Sequence, residues 1–402
     1  MNENPRNLHP ATTVAAPGSR HLAWLLLPVA VLAAAILWLV QTDPLQGFNN
    51  GAPPVENLTI ERMVLDQDGL RMLVRAGGSE PMTIAQVQVD AAYWQFAQEP
   101  AGAIARGHTA WISIPFPWVL GEAHNVTLVT NTGATFDHEI PVAVPTPTVS
   151  SGTLASQAIL GAFVGILPVA VGLLCYPALR SAGRNTMTFL LAMTVGLLAF
   201  LLVDTTIEAL EFAGEAAAVF QGSIMVVLVA AASFLALMAI GRRNGSPTGL
   251  ALATYIALGI GLHNFGEGLA IGAAFTAGAA GLGTFLVLGF TLHNVTEGIG
   301  IAAPLLKMRP PLLSFVGLAL LAGGPAVVGI WVGSLAFAPQ WTAIALAIGA
   351  GAIAQVIVEV TALLSRGADE RGGLGGLLGP AAFGGLAAGV GFMYVTAMLV
   401  KI

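Results

Sequence analysis

Charge is what this chain has least of. Asp, Glu, Lys and Arg make up 9% of its 402 residues, against about 25% in soluble domains. A water-facing surface cannot be built from so few charges, so lipid is expected to cover most of it. Cysteine is nearly missing too. Cys175 stands alone, which excludes a disulfide framework and a thiolate metal cluster. With a net charge of -6 and no basic patch, nucleic-acid binding is excluded as well. What is abundant is apolar and small: 56% hydrophobic residues and 49 glycines, as closely packed membrane helices require.

Along the chain the composition changes abruptly. Residues 1–20 are polar, contain Pro5, Pro10 and Pro17, and read as a disordered cytoplasmic tail. Residues 21–41 include an unbroken apolar run from Leu22 to Val40, long enough to span a bilayer. The run is long for a signal peptide and no A-x-A site follows it closely, so an uncleaved anchor is expected. In residues 45–148 charges return and short alternating runs appear: Glu61–Leu65, Leu70–Val74, Ile84–Val89, Thr109–Ile114 and Val126–Thr130. Turn signals such as Asp68-Gly69 and Gly77-Gly78 separate them, so a small all-β, sandwich-like domain is predicted, with Trp94, Trp111 and Trp118 supplying core bulk. Pro141 to Pro147 reads as a stiff linker. From residue 155 to 402 the chain is a series of eight apolar stretches: about 155–177, 187–210, 217–240, 250–273, 281–305, 311–336, 341–364 and 377–400. The expected fold class is therefore an all-α polytopic membrane bundle, eight helices plus one N-terminal helix, with a small all-β extracytoplasmic domain.

Basic residues set the expected orientation. Arg6 and Arg20, Arg180 and Arg184, Arg242 and Arg243, Lys307 and Arg309, and Arg366 and Arg371 all fall in alternate connections. The short loops on the opposite side carry none before Lys401. The N-terminus is thus expected in the cytoplasm, with the β domain and C-terminus outside.

A charge at the bilayer centre costs roughly 2.5–3.5 kcal/mol on insertion scales, so each one calls for a reason. Span four contains His263-Asn264-Phe265-Gly266-Glu267-Gly268, and span five His293-Asn294-Val295-Thr296-Glu297-Gly298. H-N-x-x-E-G thus occurs twice, and no other histidine lies in the bundle. His and Glu at i and i+4 share one helix face. Two such helices facing each other offer two imidazoles and two carboxylates, a donor set that zinc and similar ions accept tetrahedrally. Without cysteine, a soft Cu(I) site is not expected. The bland alternative is a polar network joining helices by hydrogen bonds. The pair of motifs at matched depth favours the metal site.

Asp204, Glu208, Glu211 and Glu215 form a second pattern, a stripe at the external end of span two that would concentrate cations. For Glu211 and Glu215 a solvated helix end explains the stripe equally well. Gln355 and Glu359 lie at i and i+4 near the cytoplasmic end of span seven. Acidic stations would then mark entry, middle and exit.

The paired motifs in the fourth and fifth of eight spans resemble those of the ZIP family of divalent metal transporters, whose usual form is H-N-x-P-E-G. The Asp204–Glu211 segment resembles the acidic end of that family's second helix, and the Glu359 region that of its seventh. The resemblance covers residues 155–402 and leaves the first span and the β domain as additions. It implies that His263, Glu267, His293 and Glu297 are primary ligands. It implies that Asn264 and Asn294 fall where an adjacent second metal is often held. It also implies transport of zinc, iron, manganese or cadmium toward the cytosol, with related helix triplets one to three and six to eight moving about a central site. Three departures stand out. Gly266 and Thr296 replace the motif prolines, Ala322-Gly323-Gly324-Pro325 lacks the Glu often found before the span-six proline, and the Gly241–Gly249 loop has no histidine-rich tract.

Elsewhere, His124, Asp137, His138 and Glu139 are weaker metal candidates on the β domain, and Asn57 and Asn125 begin glycosylation patterns. The expected activity is carriage of a divalent cation as transported substrate, Zn2+ first, without catalysis. Two alternatives are a metal-sensing membrane protein that signals through its β domain and an intramembrane metal-dependent hydrolase. The expected partners are the metal ion and the lipid bilayer, with a homodimer left open and no residue identifying a partner for the β domain.

Overall fold

The structure is a computed structural model that describes residues 19–42, 54–146, 150–243, 245–276, 280–335, 338–369 and 379–400. The expected tail lies outside the described residues up to position 18, as do Arg6, Arg371 and Lys401. The apolar run after the tail is helical over α1, Ser19–Thr42, with Pro28 inside and an exposed apolar stretch from Leu27 to Trp38. This helix belongs to a separate unit of the chain, Met1–Pro54.

In the β domain, alternation does what a half-buried strand requires. Leu70, Met72, Val74 and Ala76 point inward from β2 (Gly69–Ala76), and Ala110, Ile112 and Ile114 from β6 (Thr109–Ile114). Val126 and Leu128 do so from β7 (His124–Thr130), and Val87 and Val89 from β3 (Ile84–Val89). With β1 (Leu58–Asp66), β4 (Ala92–Trp94), β5 (Ala97–Glu99) and β8 (Thr135–Ile140), these strands make two open antiparallel sheets, β1-β2-β6-β5 and β4-β3-β7-β8. Side chains of both sheets join one core. That strand order matches the immunoglobulin-like arrangement of two facing sheets. Trp94 and Trp118 pack against the core, as expected; Trp111 is outside the cluster.

One irregularity matters. The β1–β2 register slips between Ile60 and Arg62, leaving Glu61 as the extra residue of a bulge. The bulge turns Glu61 inward, to 3% exposure, where it pairs with Arg75 at 2.6 Å.

Seven helices among the described residues are long and apolar enough to cross a membrane. The first, Ser151–Ser181, is not uniform. It runs through α2 (Ser151–Gly161), a π turn (Ala162–Ile166), α3 (Leu167–Leu174) and α4 (Tyr176–Ser181). The others are α5 (Arg184–Glu215), α6 (Gly222–Gly241), α7 (Gly249–Thr276), α9 (Leu312–Leu335), α10 (Pro339–Asp369) and α11 (Pro380–Val400). The second motif stands on a further helix of the bundle, α8 (Ala280–Ala302). The chain is thus an integral membrane protein.

The helices pair in a pattern. α7 lies along α9 as α8 lies along α3, and α5 lies along α11 as α10 lies along α6. Exchanging spans one to three with six to eight, and four with five, maps this set of pairs onto itself. Glycine permits the close approach. A Cβ on Gly172 of α3 would lie 2.1 Å from the Val295 carbonyl oxygen of α8, and one on Gly268 of α7 would lie 2.2 Å from that of Ala326 on α9.

The β domain stands at the bundle end formed by Glu215, Gln221, Ser334 and Pro339, across a cleft of about 1090 Å3. Gln340 in the first turn of α10 donates to Glu61 at 3.1 Å, and Arg75 stacks over Phe220 at 5.5 Å. The connections carrying Arg180, Arg184, Arg242, Arg243, Lys307 and Arg309 lie at the other end, where Tyr176 bonds the Met308 carbonyl.

Candidate metal centre

Each motif places its histidine roughly 20 Å from the start of its helix, at about 1.5 Å per residue. His263 and Glu267 lie one turn apart on α7, and the His263 Nε2 is 2.9 Å from Glu267 Oε1. From α8, His293 Nε2 approaches the same oxygen to 2.8 Å. The two imidazole rings are 6.3 Å apart between centroids. One donor atom from each of His263, Glu267 and His293 falls within 4.8 Å of the others, all three being buried. This is a preformed N,N,O set, the kind that divalent transition metals bind.

Glu297, the fourth expected ligand, lies beside the trio but not in it. It is 3% exposed, and neither carboxylate oxygen has a hydrogen-bond partner among the described residues. Glu267 Oε2 and His263 Nδ1 are orphaned in the same way. Buried polar atoms are nearly always satisfied, and a divalent cation held by the trio is one group that could satisfy carboxylate oxygens at this depth. A small cavity of about 10 Å3 opens beside His293 and Glu297, also lined by Thr194, Thr296 and Met393.

The asparagines have a structural task. Asn264 donates its amide to the Ala322 carbonyl of α9, and Asn294 donates to the Val164 carbonyl of the π turn, each at 3.0 Å. Pro168 explains the second bond, because it lacks the N–H that would otherwise bond Val164. The two bonds are related by the same span exchange that relates the helix pairs. Each asparagine keeps a buried Oδ1 with no hydrogen-bond partner among the described residues.

The flanking stations are partly assembled. Glu208 is half-buried and lies within electrostatic reach of Glu267. Asp204 instead lines a lateral cleft with Phe200, Val203 and Tyr394. Glu211 and Glu215 are exposed, as a solvated helix end would be. On α10, Gly349 faces His263, Gln355 lies against Gly259 one turn below it, and Glu359 follows. Gln355 is buried with an orphaned Oε1; Glu359 is buried and pairs with Arg242 at 3.6 Å. Two buried polar side chains of α10, Gln355 and Glu359, thus lie between the centre and the basic end of the bundle.

The β-domain candidates do not form a metal cluster among the described residues. His124 is bound to Asp90 at 2.8 Å, and Asp137 accepts from Thr127 on the neighbouring strand. Sequence reasoning missed the contact of Glu61 with Gln340, since a charged residue in a strand gives no sign that a bulge will turn it inward. It also missed the carbonyls of Val164 and Ala322, because backbone acceptors leave no trace in side-chain patterns. No protein-family model and no curated protein matches the chain, and what its own residues establish is a polytopic membrane bundle with a buried His/Glu/His cluster able to coordinate a divalent metal ion.

Proposed function

We propose that this protein is a ZIP-like carrier that moves a divalent transition-metal cation, zinc first, toward the cytoplasm. The observation that carries the reading is the convergence of His263, His293 and Glu267 on one buried point with Glu297 orphaned beside it. A resident structural ion would need only that cage. Here polar groups continue from it along α10 through Gln355 to Glu359, while Glu208 lies on the other side, and that continuity favours passage. The basic connections favour a cytoplasmic face for the Glu359 end, with the β domain outside. In the cycle we infer, Glu208 helps draw the ion inward and the two imidazoles with Glu267 and Glu297 replace its water shell. Separation of Arg242 from Glu359 then opens the inner exit. The helix pairing suits rocking of one triplet against the other.

A sensor is the second reading, favoured by the buried Glu61–Gln340 contact, which ties the β domain to the helix facing His263. Zinc flux into proteoliposomes holding a zinc-sensitive dye separates the two. A carrier gives flux that is lost in Glu267→Ala; a sensor binds zinc without flux.

A further inference from the structure

We propose that a groove between α3–α4 and α9 is a binding site for one anionic phospholipid of the leaflet on the basic-loop side. The groove has a volume of about 370 Å3, within the usual range of small-molecule pockets. Ile166, Leu173 and Tyr176 form one wall, and Phe315, Ala319 and Leu320 the other. The lining is almost wholly apolar, so its tenant is a hydrocarbon chain. From Leu312 to Leu320 the groove follows two turns of α9, roughly 12 Å, close to the depth of one leaflet's hydrocarbon.

Any membrane protein shows apolar surface to lipid; the mouth of this groove sets it apart. Tyr176 stands there, tilted against Phe315 at 5.0 Å, with its hydroxyl donating to the Met308 carbonyl. That bond brings the Lys307-Met308-Arg309 turn beside the groove. Arg180 comes from the opposite side, its guanidinium 5.7 Å from the centre of the Tyr176 ring. Arg180, Lys307 and Arg309 are all exposed, and none is in a salt bridge among the described residues. No Asp or Glu occurs in residues 176–184 or 303–312. Three cations outside any salt bridge among the described residues, beside an apolar slot, match a phosphate next to an acyl chain. The same span reaches the metal centre, since Gly172 of α3 packs directly on Gly298 and Val295 of α8. Occupancy of the groove would therefore bear on the helix that carries His293.

The test uses the full chain, purified in neutral detergent containing equal amounts of phosphatidylglycerol and phosphatidylcholine, with retained lipid counted by mass spectrometry. One phosphatidylglycerol per chain is expected in preference to phosphatidylcholine. Each cation contributes about fivefold, which corresponds to about 1 kcal/mol, so R180E combined with R309E should cut retention at least 25-fold, about two such factors. A170F fills the groove from Ala170, another lining residue, leaves the cations in place, and should also abolish retention. Circular dichroism and elution volume check that both variants fold. Equal retention of the two lipids by the parent overturns the proposal, as does unchanged phosphatidylglycerol in either folded variant. Displacement of the lipid by inorganic phosphate alone would show a phosphate site on the turn and overturn the groove. None of these readouts depends on metal transport.

Discussion

His293 and Glu267 stand on different helices and 26 residues apart, yet their side chains meet at 2.8 Å in the middle of the bundle. The same carboxylate oxygen receives His263. Glu267 is thus the pivot between the two motifs, while Glu297 approaches from one side. This unequal arrangement leads to different expectations for two residues in equivalent motif positions.

Removing the pivot should be the more damaging change. Glu267→Gln keeps shape but removes the charge that both imidazoles face, and zinc affinity should fall by more than about 100-fold, the upper end of what even outer-shell substitutions cost. Glu297→Gln should weaken binding less, because three converged donors remain. Isothermal titration of zinc into detergent-solubilised protein compares them. Equal losses in the two variants would contradict the asymmetry.

One tightly bound zinc per chain is expected. Two neighbouring divalent ions repel, and a bridging carboxylate usually offsets this. Asn264 and Asn294 offer carbonyl dipoles but no charge, and their amides are already committed to Ala322 and Val164. Equilibrium dialysis counts the ions. Two equally tight zinc ions, both lost in Glu267→Ala, would mean that Glu267 or Glu208 bridges.

The β domain should depend on Glu61 for stability and on Gln340 for its attachment. Glu61→Ala leaves the largely buried Arg75 without its partner, a loss of about 3 kcal/mol for breaking a buried pair, visible as a lower melting temperature of the β signal. Gln340→Leu should leave that melt in place and raise hydrogen exchange where the domain meets the bundle. An excised 54–146 fragment that melts cooperatively would show that the domain folds alone; a random-coil spectrum would refute it.

Mild acid should loosen the β domain through His138. Burial holds this imidazole below the ordinary 6.5, so the unfolded chain takes up the proton first as pH falls. The contribution to stability is complete above about 6.5 and is lost as pH drops through the lower folded value. Asp90 is also held low, chiefly by the Asn125 backbone N–H. It is depressed from 3.8 and acts only in stronger acid. His138→Gln should flatten the change in melting temperature between pH 7 and pH 5, and an unaltered slope would assign it elsewhere.

Much of the fold was legible in the chain because its signals are local. Hydropathy marked the spans, and period-two alternation marked the five longer inward-facing strands. The three-residue β4 and β5 were missed, being too short to show a period. β8 was not among the runs singled out, because Asp137, His138 and Glu139 interrupt its apolar alternation. The i,i+4 spacing of His263 with Glu267 was a local fact as well, and helix geometry turned it directly into a shared face.

By itself, the sequence determined that this is a membrane bundle with two matched His/Glu helices, since length, apolarity and helical period need no partner to be read. The tertiary structure decided which donors meet. Glycine contacts such as Gly172 on Val295 and Gly268 on Ala326 bring the helices close, and the Val164 and Ala322 carbonyls lock both asparagines. Those contacts select three donors for the centre and set Glu297 beside it. Tertiary packing also turns Glu61 toward Gln340 and brings Tyr176 to the Met308 carbonyl. Such relationships join residues far apart in the chain through backbone atoms and packing, which side-chain patterns do not encode.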